Sequence, residues 1–379
     1  RLVKGLKSSR GGARQGFATT LSMCLSTFFS NEKENRLKEV WRHALEVTKL
    51  EGKDRGFRVR EAIFGRVFAM LAILRSRASI SEDTAKSMRE VASELYETKP
   101  WLRHLLIEVY VEMNEAGLDL SENSPDSEHD MYKMLNKSPI ESPEILSLAF
   151  AMSLSKTTPK PIKKRIVENV THFKNMSTWT EALRRSDYVC PAVHTVWDRL
   201  LKMHAAKSIQ IFETIFDDEF LKKRERKYLS LKILGRLVEA GTVNESNVQR
   251  VLTSKLLHTL RTHASNKKSY LHAPVKSVLE LFQSASPSFR VAVATCLLSM
   301  DGSGSRDSAL LSQILDSLKL EHLKTYVSKL IEREDEFAAQ ALYSVGLTIL
   351  DQFTTEQGGE TLFGEILSDL VKRESSDSI

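Results

Sequence analysis

The chain has 379 residues and a mass of 42.9 kDa, more than one hydrophobic core usually serves, so two or three packed units or one extended array are expected. Its 16 glycines and 9 prolines, against roughly 45 at average usage, exclude a hairpin-rich β protein and favour long helices. A composition 27% charged and 41% hydrophobic excludes wholesale disorder, and no apolar run approaches the length of a membrane span.

The opening Arg-Leu-Val-Lys is no secretory leader, and the missing initiator Met leads us to expect a longer intact protein. Ile63, Phe64, Val67, Phe68, Leu71 and Leu74 then fall at helical spacing, with Ala62, Gly65, Ala69 and Ala72 between them to admit a close neighbour. Ser81 followed by Glu82 and Asp83 reads as an oxygen cap with acids at the positive dipole end. That helix presents Met88, Val91, Ala92, Leu95 and Tyr96. Pro100 opens the next helix, through Trp101 to Met113, and Gly117 is its left-handed stop. Residues 118–141 read as a polar loop or insertion.

Ser142-Pro143-Glu144 and Ser286-Pro287 repeat the cap-and-proline start. A break is expected at 155–161. Residues 194–216 give one long amphipathic pattern and 220–240 another, with Gly241 as its stop. Four more helices are expected near 307–318, 320–332, 335–354 and 359–372. Roughly eighteen helices and no strand result. So many sequential helices cannot share one bundle core, whereas stacked pairs can, each covering the last. The expected fold is all-α, an irregular HEAT/armadillo-like α-solenoid with a period of about 40 residues. Its expected parts are N-terminal repeats over 1–117, central basic repeats over 142–300 and acidic C-terminal repeats over 301–379.

A search for chemistry yields little. Cys24, Cys190 and Cys296 are too few and scattered for a disulfide framework or a structural zinc site. They read as reduced thiols of an intracellular protein. No phosphate-binding glycine loop, dinucleotide fingerprint or H-E-x-x-H motif occurs. Cys190 and His194 are two possible ligands without companions. Asp217-Asp218-Glu219 is the densest carboxylate group, but adjacent positions on one helix end do not converge on a metal. Neither a cofactor, a metal nor a small-molecule substrate is expected.

Charge is the stronger signal. Residues 301–379 hold 7 Lys/Arg against 15 Asp/Glu, which leaves 48 against 34 for the first 300 residues. A basic body with an acidic end suggests an anionic partner, nucleic acid first. Four basic stretches stand out. Residues 1–20 carry Arg10 and Arg14 and no acid. Around two prolines come Lys156, Lys160, Lys163, Lys164 and Arg165, which also resemble a short nuclear import signal. Lys222, Lys223, Arg224, Arg226 and Lys227 follow, interrupted by Glu225. The longest stretch, Ser246 to Leu279, has no Asp or Glu and carries Arg250, Lys255, Arg261, Lys267, Lys268 and Lys276 with His258, His263 and His272 as conditional charges. Such stretches neutralise phosphates with little sequence preference. With Tyr270 the sole aromatic of the last stretch, backbone contact is favoured over base stacking.

Five segments in order carry a family resemblance: Arg1 to Arg10 with Ala13 to Phe17, Glu61 to Phe68, Lys99 to Arg103, His194 to Asp198, and Arg224 to Tyr228. Together they resemble the DNA polymerase phi family, which includes Myb-binding protein, over about the first 235 residues. The resemblance implies a nucleolar protein of helical repeats, associated with ribosomal RNA synthesis and large-subunit assembly. Family members are much longer, so this chain looks like an N-terminal portion. The implied partners are pre-ribosomal particles, with their rRNA and assembly proteins, or rDNA chromatin, and no membrane.

The matched residues also have structural readings. Gly5, Gly16 and Gly65 are expected to permit close packing, and Phe17, Phe64, Phe68, Trp101 and Trp197 to lie in the core. Arg10, Arg14, Arg66, Arg226 and Lys227 are expected to be exposed, facing rRNA or helix-end carbonyls. The leading expectation is a non-enzymatic scaffold. The alternatives are a protein-only adaptor solenoid resembling transport receptors, and a template-dependent polymerase, against which the missing Tyr-Gly-Asp-Thr-Asp type motif argues.

Overall fold

The computed structural model describes residues 1–29, 35–52, 55–118, 135, 140, 142–216, 220–299, 313–315, 318–333, 336–353 and 358–376. Among them the regular structure is helical throughout, with short 3-10 turns and no strand, so the all-α expectation holds. Most of the expected loop at 118–141, the carboxylates 217–219 and most of the helix expected at 307–318 lie outside the described residues, while Leu135 and Ile140 are described and buried. Two compact units appear, one of residues 1–186 with 194–203, the other of residues 187–193 with 204–379.

The first unit holds α1 (Leu2–Gly5), α2 (Gly11–Phe29), α3 (Asn35–Val47), α4 (Phe57–Arg75), α5 (Glu82–Thr98), α6 (Arg103–Glu115), α7 (Pro143–Leu154), α8 (Lys160–Ile166), α9 (Met176–Arg185) and α10 (Thr195–Met203). Helix α4 packs against α2, α3 and α6, and its apolar stripe is buried at Ile63, Val67, Leu71 and Leu74. Gly65 permits this approach: a Cβ there would lie 2.9 Å from Thr48 Cγ2 and 3.1 Å from Lys7 Cγ. Arg66 closes α3, its Nε donating to Thr48 Oγ1 at 3.2 Å and its Nη2 to the Thr48 carbonyl at 3.2 Å. Helix α7 is buried from Pro143 to Ser153 and meets α6, α8, α9 and α10, as a helix apolar on all sides must. Trp179 and Trp197 anchor this end, their indole N–H groups donating to the Val170 carbonyl and to Ser186 Oγ, each at 2.9 Å.

The second unit holds α11 (Ser208–Ile215), α12 (Arg224–Glu239), α13 (Val248–Val251), α14 (Ser254–Ala264), α15 (His272–Ser284), α16 (Pro287–Ser299), α17 (Leu320–Ile331), α18 (Glu336–Phe353) and α19 (Gly359–Ser376). Helix α12 packs on α15, α13 and α17 pack on α16, and α17, α18 and α19 pack on one another.

Several local expectations hold. Ser142 Oγ accepts from the Ile145 amide at 3.4 Å and Ser286 Oγ from the Phe289 amide at 3.3 Å. Gly117 and Gly241 have φ of +71° and +66°. Others need correction. Ser81 stands before α5, but its hydroxyl meets Thr84 Oγ1 at 2.9 Å and caps no amide. The pattern at 194–216 is not one helix: it breaks into α10, a turn at Ala205–Lys207 and α11, and its two apolar runs serve different units. Phe17 is 36% exposed, lying over Gly5, and a Cβ on Gly16 would meet nothing within 4 Å. No helix among the described residues is long and apolar enough to cross a membrane.

Candidate nucleic-acid interface

Several of the basic residues singled out in the sequence hold the fold together. Arg14, half-buried, lies 4.3 Å from the Phe64 ring centroid and 5.9 Å from that of Phe68. Its Nη1 donates to the Ser8 carbonyl at 2.6 Å, fixing the turn between α1 and α2, and burial lowers its pKa. Lys163 Nζ donates to the Ser155 carbonyl, 2.8 Å away, just past the end of α7. Arg226 Nε pairs with Asp187 Oδ2 at 2.9 Å, with little of either side chain exposed. Arg261 Nη2 donates to the Leu297 carbonyl at 2.7 Å, near the end of α16.

The stretch from Ser246 to Leu279, acid-free in sequence, is not acid-free in space. Arg250 makes two 2.7 Å bonds to Glu213 of α11, and Lys276 lies 3.6 Å from Glu280 one turn on.

Exposed basic residues remain on both units. On the first unit, Arg10 stands at the surface before α2, and α8 exposes Lys160, Lys164 and Arg165, with Lys164 3.9 Å from Glu168. On the second unit the two richest stretches meet. The start of α12 carries Lys222, Lys223, Arg224 and Lys227, and the turn between α14 and α15 carries Lys267, Lys268 and Tyr270. Tyr270 joins them: its hydroxyl donates to the Arg224 carbonyl at 3.3 Å, and the Arg224 guanidinium stacks 4.1 Å from its ring centroid.

The turn is held by its own bonds. The Lys268 amide donates to Asn266 Oδ1 at 3.2 Å, Ser269 Oγ meets His263 Nδ1 at 2.8 Å, and His272 Nδ1 meets the His263 carbonyl at 3.2 Å. Lys222, Lys223, Arg224, Lys267 and Lys268 are exposed, Lys227 is half-buried, and Glu225 is the exposed acid among them. Sequence reading did not pair Tyr270 with Arg224, 46 residues away.

Burial, and then the charges of Lys227 and His258, push the His263 imidazole below its ordinary pKa, so it gains its charge at a lower pH than a free histidine does. Burial raises the Tyr270 phenol, which remains a hydrogen-bond donor. Cys190 in the same unit is raised by burial and by Glu225 and Asp187, so its thiol is not activated.

His194, considered with Cys190 as one of two possible ligands, is buried, and its Nδ1 accepts from the Val196 amide at 3.1 Å, capping α10. No group of three or more His, Cys, Asp or Glu among the described residues is placed to hold a metal.

A buried polar cluster in the first unit had no sequence signal beyond Glu144 as a first-turn acid. Glu144 is only 5% exposed and accepts from Ser142 Oγ. Arg199 bridges Ser147 Oγ at 2.6 Å and Glu108 Oε2 at 2.7 Å. Burial brings His194 down to about 4 and takes Tyr96 up to about 12.

The sequence profile described as DNA polymerase phi matches residues 1–354. A relative in Schizosaccharomyces pombe, the rDNA transcriptional regulator pol5, is 22% identical over 361 residues, covering 85% of this chain and 36% of the relative. The chain thus spans about a third of that protein's length. Among solved structures, the crystal structure of an engineered protein aligns over 98% of this chain and 97% of its own at 13% identity and a TM-score of 0.28, too distant to bear on the fold.

Proposed function

The chain belongs to the DNA polymerase phi family, and on that premise we propose that it is a non-enzymatic nucleolar scaffold that binds rDNA chromatin or pre-ribosomal RNA through the phosphate backbone. The observation that carries this reading is the union of two basic stretches at Tyr270, which sets Lys222, Lys223, Arg224, Lys267 and Lys268 on one exposed patch. Lysines so placed act as point charges for phosphate and carry little base information. The relative's name, an rDNA transcriptional regulator, supports a nuclear, rDNA-linked role. The contacts of α2, α4, α6 and α7, each with the next, support an irregular HEAT/armadillo-like stacking within the first unit.

Crosslinking of the tagged protein in cells, followed by sequencing of the recovered nucleic acid, tests the role. Enrichment of rDNA or pre-rRNA, lost when Lys222, Lys223, Lys267 and Lys268 are changed to Glu, is expected. Recovery indistinguishable from an untagged control would overturn it, as would template-dependent nucleotide incorporation by the purified protein.

A further inference from the structure

The turn between α14 and α15 carries a hydroxyl with no part in holding the turn. Ser265 directly follows α14, is exposed, and its hydroxyl takes no partner among the described residues. The hydroxyls around it are committed. Thr262 Oγ1 meets His258 Nε2 at 3.4 Å, Ser269 Oγ meets His263 Nδ1 at 2.8 Å and accepts from the Leu271 amide at 3.1 Å, and the Tyr270 hydroxyl donates to the Arg224 carbonyl at 3.3 Å.

Lys267 and Lys268 follow Ser265 by two and three positions. The Lys267 amide donates to the Ser265 carbonyl at 3.1 Å and the Lys268 amide to Asn266 Oδ1 at 3.2 Å, which fixes a tight turn. Even three fully extended residues span only about 10 Å, close to the screening length of about 8 Å at 0.15 M salt. Both flexible lysine stems therefore bring their ammonium groups within reach of a charge placed on Ser265 Oγ.

Among the exposed residues Lys222, Lys223, Arg224, Lys267 and Lys268 the exposed acid is Glu225, and no acid occurs from Ser246 to Leu279. A phosphoserine carries a charge of about −1.5 to −2 at pH 7, enough to neutralise two of the five cations. Standing at the C-terminal end of α14, it meets the negative end of the helix dipole and turns to the lysines for its hydrogen bonds. Basic residues after an exposed acceptor, in an acid-free stretch, complement a protein kinase whose substrate groove is acidic.

We propose that Ser265 is a phosphorylation site for a protein kinase of that class, and that its phosphate switches off nucleic-acid binding at the patch. This rests on the phosphate-backbone reading given above. In the transfer, Ser265 Oγ bonds to the γ-phosphorus of a nucleoside triphosphate held by the kinase. The bond from that phosphorus to the β–γ bridging oxygen breaks, the nucleoside diphosphate leaves, and the hydroxyl proton passes to a base of the kinase.

The test titrates duplex DNA, over a series of salt concentrations, into the unmodified protein, the protein with phosphoserine incorporated at position 265, and Ser265→Glu. Phosphoserine is expected to weaken binding at least about tenfold at 0.15 M salt and to make the salt slope shallower by about 1.8, the loss of two contacts. Ser265→Glu, with a single charge, should fall between and serves if the phosphorylated protein fails to fold. Unchanged affinity and slope, while the unmodified protein binds, would overturn this inference and leave the phosphate-backbone reading standing. No duplex binding by the unmodified protein would overturn both. An equal loss from phosphoserine at exposed Ser26 of the first unit would assign the effect to net charge and overturn the inference as well. Phosphopeptide mapping of the protein from cells treated with a phosphatase inhibitor should find phosphate on Ser265; wholly unmodified peptides there would overturn the assignment.

Discussion

At pH 7 the buried His194 imidazole is neutral, because burial lowers its pKa to about 4, with His104 and Arg199 adding to the effect against Glu144. Unfolding returns it to its ordinary value near 6.5, so between pH 6.5 and about 4 the unfolded chain binds the extra proton. Stability is therefore full above pH 6.5 and falls as the pH drops toward 4, by roughly 2–3 kcal/mol from this residue. His104, lowered first by burial, acts in the same direction. His194→Asn keeps an acceptor for the Val196 amide and removes the titration, so thermal melts between pH 7 and 4.5 are expected to show a shallower acid slope. An unchanged slope would reject the assignment.

Two arginine and lysine roles separate at the same scale. Arg226→Ala removes the pair with Asp187 and is expected to cost about 1–2 kcal/mol of stability. Lys222→Ala is expected to stay within about 0.5 kcal/mol, because the side chain is exposed. Urea denaturation of the two variants reads the difference, and equal losses would contradict it.

Elements show where sequence reading works. A serine before a proline and an acid, or a glycine after the last apolar position, acts within one turn, so the start of α7 and the ends of α6 and α12 were legible. Gly65 was legible as a point of close approach because small residues alternate along α4. Gly65→Val should force Thr48 aside and cost about 1–3 kcal/mol, measured as a drop in denaturation midpoint. No change would mean that α3 and α4 do not pack as described.

Longer-range features were not legible. The apolar spacing of 194–216 does not say that the chain turns at Ala205–Lys207, because helical phase is locally continuous while the partners differ. Nor does a linear count of charges reveal that Glu213 neutralises Arg250, 37 residues away. Of the candidate site, the composition was readable, whereas its reduction to the exposed lysines and Arg224, and their joining at Tyr270, depended on tertiary contacts.

For the molecule as a whole, the net charge of +6 understates the anion affinity expected of the first 300 residues, whose excess is offset by the acidic last eighty or so. Specific carboxylates and carbonyls take up Arg14, Arg226, Arg250 and Arg261, so binding should depend on a small subset of the basic residues. Each phosphate contact releases counterions and steepens the fall of affinity with salt. The most direct test is the salt dependence of duplex DNA binding by the protein and by its Lys222→Ala, Lys223→Ala, Lys267→Ala, Lys268→Ala variant. Loss of four contacts should make the slope of log affinity against log salt shallower by about 3.6, with the melting temperature unchanged. An identical slope for the two proteins would contradict the account.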